Sequence, residues 1–295
     1  MIGVVVMAYG TPGAPGEVEA YYTHVRRGRP PTPEQLADLV RRYDAIGGLS
    51  PLAANSAAQR TAIAAALGDG YVVAGGNKHA APFIEDTVRA LVDQGLDSIV
   101  GVVMAPHYSA ASVGEYHARA REAAGSTPYA AIDRWYDIDQ FVEHQATSLR
   151  ARLAAAPPRT KVLFTAHSLP ERALIDDPYP DQLYQSADAI AAAAGLLAWG
   201  DWTIAWQSAG RTPEPWRGPD ILAVIRDLAA TGRAEGVVVV PHGFTSEHLE
   251  VLYDIDIEAA QVAAAAGLTL SRTDVVGDDP LVMAALARRI ADATS

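Results

Sequence analysis

The sequence contains no cysteine. That absence excludes disulfides, thiol catalysis, thiolate zinc sites and cysteine-ligated iron–sulfur clusters, so a metal has to be met by His, Asp, Glu, Tyr or backbone oxygen. Long apolar runs are missing too. The strongest, residues 4–7 and 237–240, are strand-length, whereas a membrane-spanning helix needs about 20 apolar residues. Met1 opens onto a strand-like run with no basic n-region, which argues against a signal peptide. The expected location is cytoplasmic, with no membrane insertion. Basic residues are scarce: 23 Lys and Arg stand against 35 Asp and Glu, for a formal net charge of -12. A chain so charged is a poor nucleic-acid partner, and an anionic ligand would need a locally basic patch. The densest candidate is His24-Val25-Arg26-Arg27-Gly28-Arg29-Pro30-Pro31, which charge alone reads first as a solvated loop. No Gly-x-Gly-x-x-Gly or Walker-type loop follows any strand-like run, so nucleotide binding has little support.

What is present is an apolar half of a 295-residue chain, enough for one large α/β domain or two smaller ones. β-Branched runs recur at 2–7, 71–74, 99–104 and 129–132, and again at 161–165, 203–206, 237–240 and 268–276. Between them lie Ala-rich stretches with helical periodicity, at 53–67, 84–93, 141–155 and 183–194. Buried strand alternating with helix predicts parallel α/β. The chain divides into two similar halves at Ala156-Pro157-Pro158-Arg159, with a last helix over 281–293 that could pack back on the first half.

Four strand ends carry the unusual chemistry: Met7-Ala8-Tyr9-Gly10-Thr11-Pro12, Ala105-Pro106-His107-Tyr108-Ser109, Thr165-Ala166-His167-Ser168-Leu169-Pro170 and Val240-Pro241-His242-Gly243-Phe244. In open parallel sheets, ligands bind beyond the carboxyl ends of the strands. His167 there is either a base or metal ligand, or a structural histidine bonded to a carbonyl. Ser168 lacks a nucleophile elbow. Glu250, Asp254 and Glu258 fall at i, i+4 and i+8, one acidic stripe on a regular helix, with Glu247 just before it. Such a stripe is either solvated or a path for a hard divalent cation. Tyr9 reads as packing or, less commonly, as an iron ligand. Trp206 reads as core, and Trp216 as a ring available to a flat ligand.

Together the segments 7–12, 21–29, 42–52, 78–86, 166–170, 177–182, 206–216 and 248–258 resemble the ferrochelatase family, in particular the coproporphyrin III ferrochelatases of Gram-positive type. The resemblance implies two Rossmann-like domains, 1–156 and 157–295, gripping a porphyrin between them. It implies insertion of Fe²⁺ into coproporphyrin III with release of two protons, in haem biosynthesis. His167 matches the active-site histidine and Glu250 its partner carboxylate. Asp254 and Glu258 continue an acidic helix that often carries a π-type bulge. Tyr9 matches the tyrosine that contacts the inserted iron.

Arg26, Arg42, Tyr43, Ser50 and Tyr116 match positions that hold or adjoin the propionates, Lys78 lies in a matching loop of the cleft, and Trp216 matches an aromatic near the macrocycle. Arg27 adds a local cation that a tetra-anionic substrate needs. No cofactor is expected to stay bound, and Fe²⁺ enters as substrate. A monomer in transient contact with haem-pathway enzymes is expected. Three readings compete with this one: a protoporphyrin ferrochelatase, a chelatase for another metal and tetrapyrrole, and a non-catalytic porphyrin or haem carrier. His242 replaces an apolar residue usual in the family, and the Ala-rich segment after Glu258 fits the family poorly.

Overall fold

Residues 2–8 carry no charged or hydrogen-bonding side chain, and they form β1 (Ile2–Ala8), an inner strand of a parallel sheet. Such a run suits a strand buried on both faces. The structure is a computed structural model and describes residues 1–196, 200–210 and 212–294. After β1 come α1 (Val18–Val25), α2 (Pro33–Ala45), α3 (Leu52–Leu67), β2 (Tyr71–Asn77), α4 (Ile84–Val92), β3 (Ser98–Val103), α5 (Val113–Ala124), β4 (Tyr129–Ile132) and α6 (Asp139–Ala154). The rest comprises β5 (Thr160–His167), α7 (Tyr179–Ala193), β6 (Trp202–Gln207), α8 (Ile221–Ala230), β7 (Gly236–Val240), a π-helix (Val251–Ala259), α9 (Ala260–Ala265), β8 (Thr269–Arg272) and α10 (Pro280–Asp292).

Strand order is β2-β1-β3-β4 in one sheet and β6-β5-β7-β8 in the other, and every pairing is parallel. The second half therefore repeats the topology of the first. In each, the chain leaves the first strand to one side and later returns on the other. That reversal opens a crevice beyond the ends of β1 and β3, and of β5 and β7. All four chemically unusual strand ends of the sequence lie there.

The halves share their packing. Val4, Val100 and Phe141 belong to one buried cluster with Phe164, Leu183 and Leu286. The far face of each sheet has its own layer, with Ile84, Val88 and Leu91 on the first and Ile221, Ile225 and Ile255 on the second. α10 lies against α3 and α6. Gln59, fully buried on α3, donates from Nε2 to the carbonyls of Thr245 (3.1 Å) and Gly277 (2.9 Å), which ties the halves by polar contact as well.

Two strands differ from expectation by three residues or more at one end. The run 268–276 contributes only Thr269–Arg272 to the sheet. Val275 and Val276 lie beyond the last ladder pair, Val239 with Arg272, and are both buried, Val276 in the shared core and Val275 on the far face of the second sheet. β2 instead continues through Gly75-Gly76 to Asn77. A Cβ on Gly76 would lie 2.9 Å from the Cα of Ile84, so this glycine admits the start of α4 against the strand.

Candidate active site

His167 is the last residue of β5, where the buried run ends and the imidazole reaches the crevice. Tyr179 Oη donates to its carbonyl at 3.3 Å. Its Nδ1 lies 3.2 Å from Glu250 Oε2. Glu250 stands at the N-terminal cap of the π-helix, and Gln207 Nε2 donates to its carbonyl at 3.1 Å. A second imidazole, His248, holds Nε2 3.6 Å from the same carboxylate oxygen while its Nδ1 donates to the Ser246 carbonyl at 3.0 Å.

Desolvation opposes charge on both members of the His167–Glu250 pair, yet their mutual attraction prevails. His167 is disfavoured as a cation by burial, but the Glu250 charge, its hydrogen bond and the Asp254 charge raise its pKa above the ordinary histidine value. Burial likewise works against Glu250 ionisation, while His167 and then His248 hold its carboxyl far below the usual range. The pairing thus favours the ionised carboxylate and keeps the neighbouring imidazole basic.

The acidic stripe is not on a regular helix. Residues 251–259 form a π-helix, whose wider turn carries residues four apart out of line. Asp254 is 7% exposed, accepts from Ser208 Oγ, and has Arg42 Nη1 at 3.5 Å. Burial first, then the Glu250 charge, raises its pKa to about 6 against the opposing Ser208 and Arg42 contacts. Glu258 adds to that elevation from farther along the helix.

Among the described residues, no three or more His, Asp or Glu side chains are gathered to hold an ion. Tyr9 comes from the residue after β1, His167 from the end of β5, Glu250 from the cap of the π-helix, and Asp254 and Glu258 from its body.

Tyr9 follows β1 as His167 ends β5, so corresponding positions of the two halves face one crevice. Both line an inner cavity of ≈ 200 Å³ with Glu250, Tyr116 and His107. Tyr9 is 42% exposed, but to the cleft; the surrounding protein, followed by the Glu250 charge, raises its phenol above the ordinary tyrosine value. An outer cavity of ≈ 320 Å³ shares Tyr9 and Glu250 and adds Arg26, Arg42, Tyr43, Ser50 and Asp254. Arg26 is positioned by its Nε bond to the Arg29 carbonyl at 3.1 Å, and Ser50 Oγ accepts from Leu52 N at 3.2 Å.

Three expected substrate contacts do not line these two cavities. Lys78 pairs with Glu115 at 2.6 Å and lies over the Tyr116 ring. Arg27 is exposed beside the same Glu115, and both cations line a separate depression with His24 and Arg119. Trp216 lies behind the cleft wall: a Cβ on Gly210 would come within 2.4 Å of its ring, and its Nε1 donates to Thr212 Oγ1 at 3.0 Å. It backs Gly210 and Thr212, which line the outer cavity. Arg211 of the same segment lies outside the described residues.

His242 is fully buried. Its Nε2 donates to the Leu183 carbonyl at 3.2 Å and its ring meets His107 at 5.3 Å between centroids. Burial, opposed by backbone hydrogen bonds, depresses its pKa to about 4. It does not line the cavities that hold His167, Glu250 and Tyr9.

Sequence reasoning from the residues alone noted His248 only as an imidazole adjacent to the carboxylates and did not single out Ser208, although it follows β6 directly. A cleft with a basic imidazole–carboxylate pair facing a tyrosine can accept protons and present oxygen and nitrogen donors to a cation in transit.

Comparison with known proteins agrees with that chemistry. The sequence model of the ferrochelatase family matches residues 1–294, past the Ala-rich segment after Glu258. A coproporphyrin III ferrochelatase of Geobacillus kaustophilus (strain HTA426) is 44% identical over 97% of this chain and 93% of that protein. One from Bacillus subtilis (strain 168) is 40% identical over 97% of this chain and 96% of that protein.

Among solved structures, CbiX, described as the terminal enzyme for biosynthesis of sirohaem in denitrifying bacteria, aligns at a TM-score of 0.57 and 17% identity, covering 99% of this chain and 100% of that one. SirB from Bacillus subtilis with Fe³⁺ aligns at 0.58 and 16%, covering 100% and 96%. Both share the fold of two parallel α/β halves. By the match along its length and by these relatives, the chain belongs to the ferrochelatase family.

Proposed function

We propose that this chain inserts Fe²⁺ into coproporphyrin III, giving coprohaem and two protons, in the cytoplasm and without a resident cofactor. The observation that carries the reading is the His167–Glu250 pair set at the same inner cavity as Tyr9, beneath an outer cavity bearing Arg26 and Arg42. The relatives supply the porphyrin: those compared are coproporphyrin III ferrochelatases.

Metal insertion exchanges two pyrrolic protons for one divalent cation. A flat macrocycle keeps its nitrogen lone pairs in the ring plane, so a cleft that favours a puckered ring lowers the barrier by binding the transition-state shape better than the flat one. Neutral His167, made basic by Glu250, takes a pyrrolic proton on one face. Tyr9 serves the other face as an oxygen donor to the iron. Asp254 and Glu258 receive hydrated Fe²⁺ from solvent, and a carboxyl with a pKa of about 6 can exchange a proton for a cation near neutral pH. Arg26 and Arg42 hold propionates, with Tyr43, Ser50 and Tyr116 beside them.

The test is His167→Ala in equilibrium porphyrin binding and in anaerobic metal insertion. The proposal expects binding within a few-fold of wild type and turnover lowered on the order of 10²-fold or more. A variant that turns over as wild type does would remove His167 from the reaction. Wild-type protein that binds coproporphyrin III without ever inserting metal would make it a carrier.

A further inference from the structure

α2 is a surface helix with an unusual assignment. Tyr43 is its one buried residue, so little apolar area holds the helix in place, yet Gln35, Asp38, Leu39, Arg42 and Tyr43 all line the outer cavity. α2 packs on α1 and leaves Leu36 and Leu39 only half-buried, so this wall of the cleft gains from a further anchor. The π-helix of the opposite half provides it through Tyr253, a side chain only 4% exposed. Arg41 Nη1 donates to Tyr253 Oη at 2.6 Å. The guanidiniums of Arg41 and Arg42 stand 5.4 and 4.9 Å from the Tyr253 ring centroid. Both are in turn fixed to Asp38, at 2.8 and 3.1 Å. Two consecutive arginines thus grip one ring, and a guanidinium on a partly desolvated aromatic face is stronger than an exposed ion pair.

Tyr253 adjoins Asp254 and stands three residues after Glu250. Whatever fixes α2 to Tyr253 therefore also fixes the propionate-facing wall relative to the carboxylates. Arg41 itself does not line the cavity, so its contribution is mechanical.

We infer that Arg41 and Tyr253 form a clasp across the two halves that positions α2 over the cleft and governs how long a polycarboxylate macrocycle stays bound. The residence-time part rests on the porphyrin reading above; the clasp itself does not. Arg41 and Tyr253 are positioning residues. Opening the clasp lets α2 swing away from the π-helix and releases substrate, while the His167–Glu250 pair, held by β5 and Gln207, keeps its geometry.

The absence of native cysteines makes the test direct. Spin labels at Ala37→Cys on α2 and Ala230→Cys on α8, both exposed, report the separation of the halves by double electron–electron resonance. α8 packs on the π-helix and serves as its reference. Wild type should give one narrow distance distribution, and Arg41→Ala and Tyr253→Phe should each broaden it toward longer distances. In stopped-flow fluorescence with coproporphyrin III, each should raise the dissociation rate on the order of tenfold while leaving single-turnover insertion unchanged. The double variant should be no worse than the worse single one. An unchanged distance distribution in both single variants would overturn the clasp. A broadened distribution with an unchanged dissociation rate, or additive effects in the double variant, would overturn its role in holding substrate. If wild type bound no porphyrin, the function proposed above would fall, and the resonance distances would still decide whether the clasp exists.

Discussion

Replacing Glu250 by Gln leaves a hydrogen-bonding group beside His167 and deletes the charge that keeps it basic. The pKa of His167 should then fall below its ordinary value, because burial, the largest influence on it, lowers it and only the smaller Asp254 charge still opposes. If neutral His167 accepts the pyrrolic proton, the acid limb of the pH–kcat profile moves to lower pH in Glu250→Gln even as the maximal rate drops. Rate measurements from pH 5 to 9 check both.

His242 supports a prediction of opposite kind. Its folded-state pKa of about 4 lies below the unfolded value of about 6.5. The unfolded chain therefore binds the extra proton first, and stability is lost as pH falls from about 6.5 to about 4, levelling off below. His242→Val orphans the Leu183 carbonyl and leaves space around His107, so it should destabilise at pH 7.5. Relative to that difference it should retain roughly 1–3 kcal/mol more stability than wild type at pH 4.5. Urea unfolding at the two pH values reads the sign. Residue patterns alone did not separate the two, since His167 and His242 both follow β-branched runs in the same half; family resemblance pointed to His167, and their surroundings separate a cleft histidine from a buried one.

At the scale of elements, α2 depends on its first turn. Thr32 Oγ1 accepts from Gln35 N at 3.3 Å, and Gln35 Oε1 accepts from Thr32 N at 3.0 Å, a reciprocal cap with Pro33 at the first helical position. Thr32→Ala should cost about 1 kcal/mol, a drop in Tm of about 2 °C, and should loosen Gln35 in the outer cavity. Calorimetry with porphyrin titration would register both.

The elements also show what the sequence made legible. Strand ends stood out because a strand buried on both faces is continuously apolar, so the first polar residue beyond it is conspicuous: Tyr9, His107, His167 and His242 were all visible. α2 was not singled out, although Leu36, Leu39, Val40 and Tyr43 fall at helical spacing; what the stripe could not show is that all of these but Tyr43 stay half-buried or exposed. The π-helix was beyond reach of spacing rules, because Glu250, Asp254 and Glu258 at intervals of four look like a regular helical face. Only family resemblance carried the warning.

At the scale of the molecule, duplication of one topology places Tyr9 and His167 at equivalent strand ends and then turns those ends toward a common crevice. The doubling could be read from eight β-branched runs, but the shared core could not. Nothing in either half alone states that Phe141 and Phe164 share one buried cluster, or that Gln59 bridges to Thr245 and Gly277. Those contacts depend on how two surfaces meet. Charge follows the same logic: a chain of net charge -12 can hold a tetra-anion only if its cations are concentrated where the halves close, and Arg26 and Arg42 are at that mouth. Their attraction should be screened by salt, so porphyrin affinity in wild type should fall as ionic strength rises.

The central claim is that this cleft inserts Fe²⁺ into coproporphyrin III through His167. Its most direct test is an anaerobic absorbance assay with Fe²⁺, run side by side on coproporphyrin III and protoporphyrin IX, for wild type and His167→Ala. The account predicts rapid conversion of coproporphyrin III by wild type, little of protoporphyrin IX, and loss of conversion in the variant. Equal use of both porphyrins would contradict the substrate assignment, and conversion undiminished in His167→Ala would contradict the site.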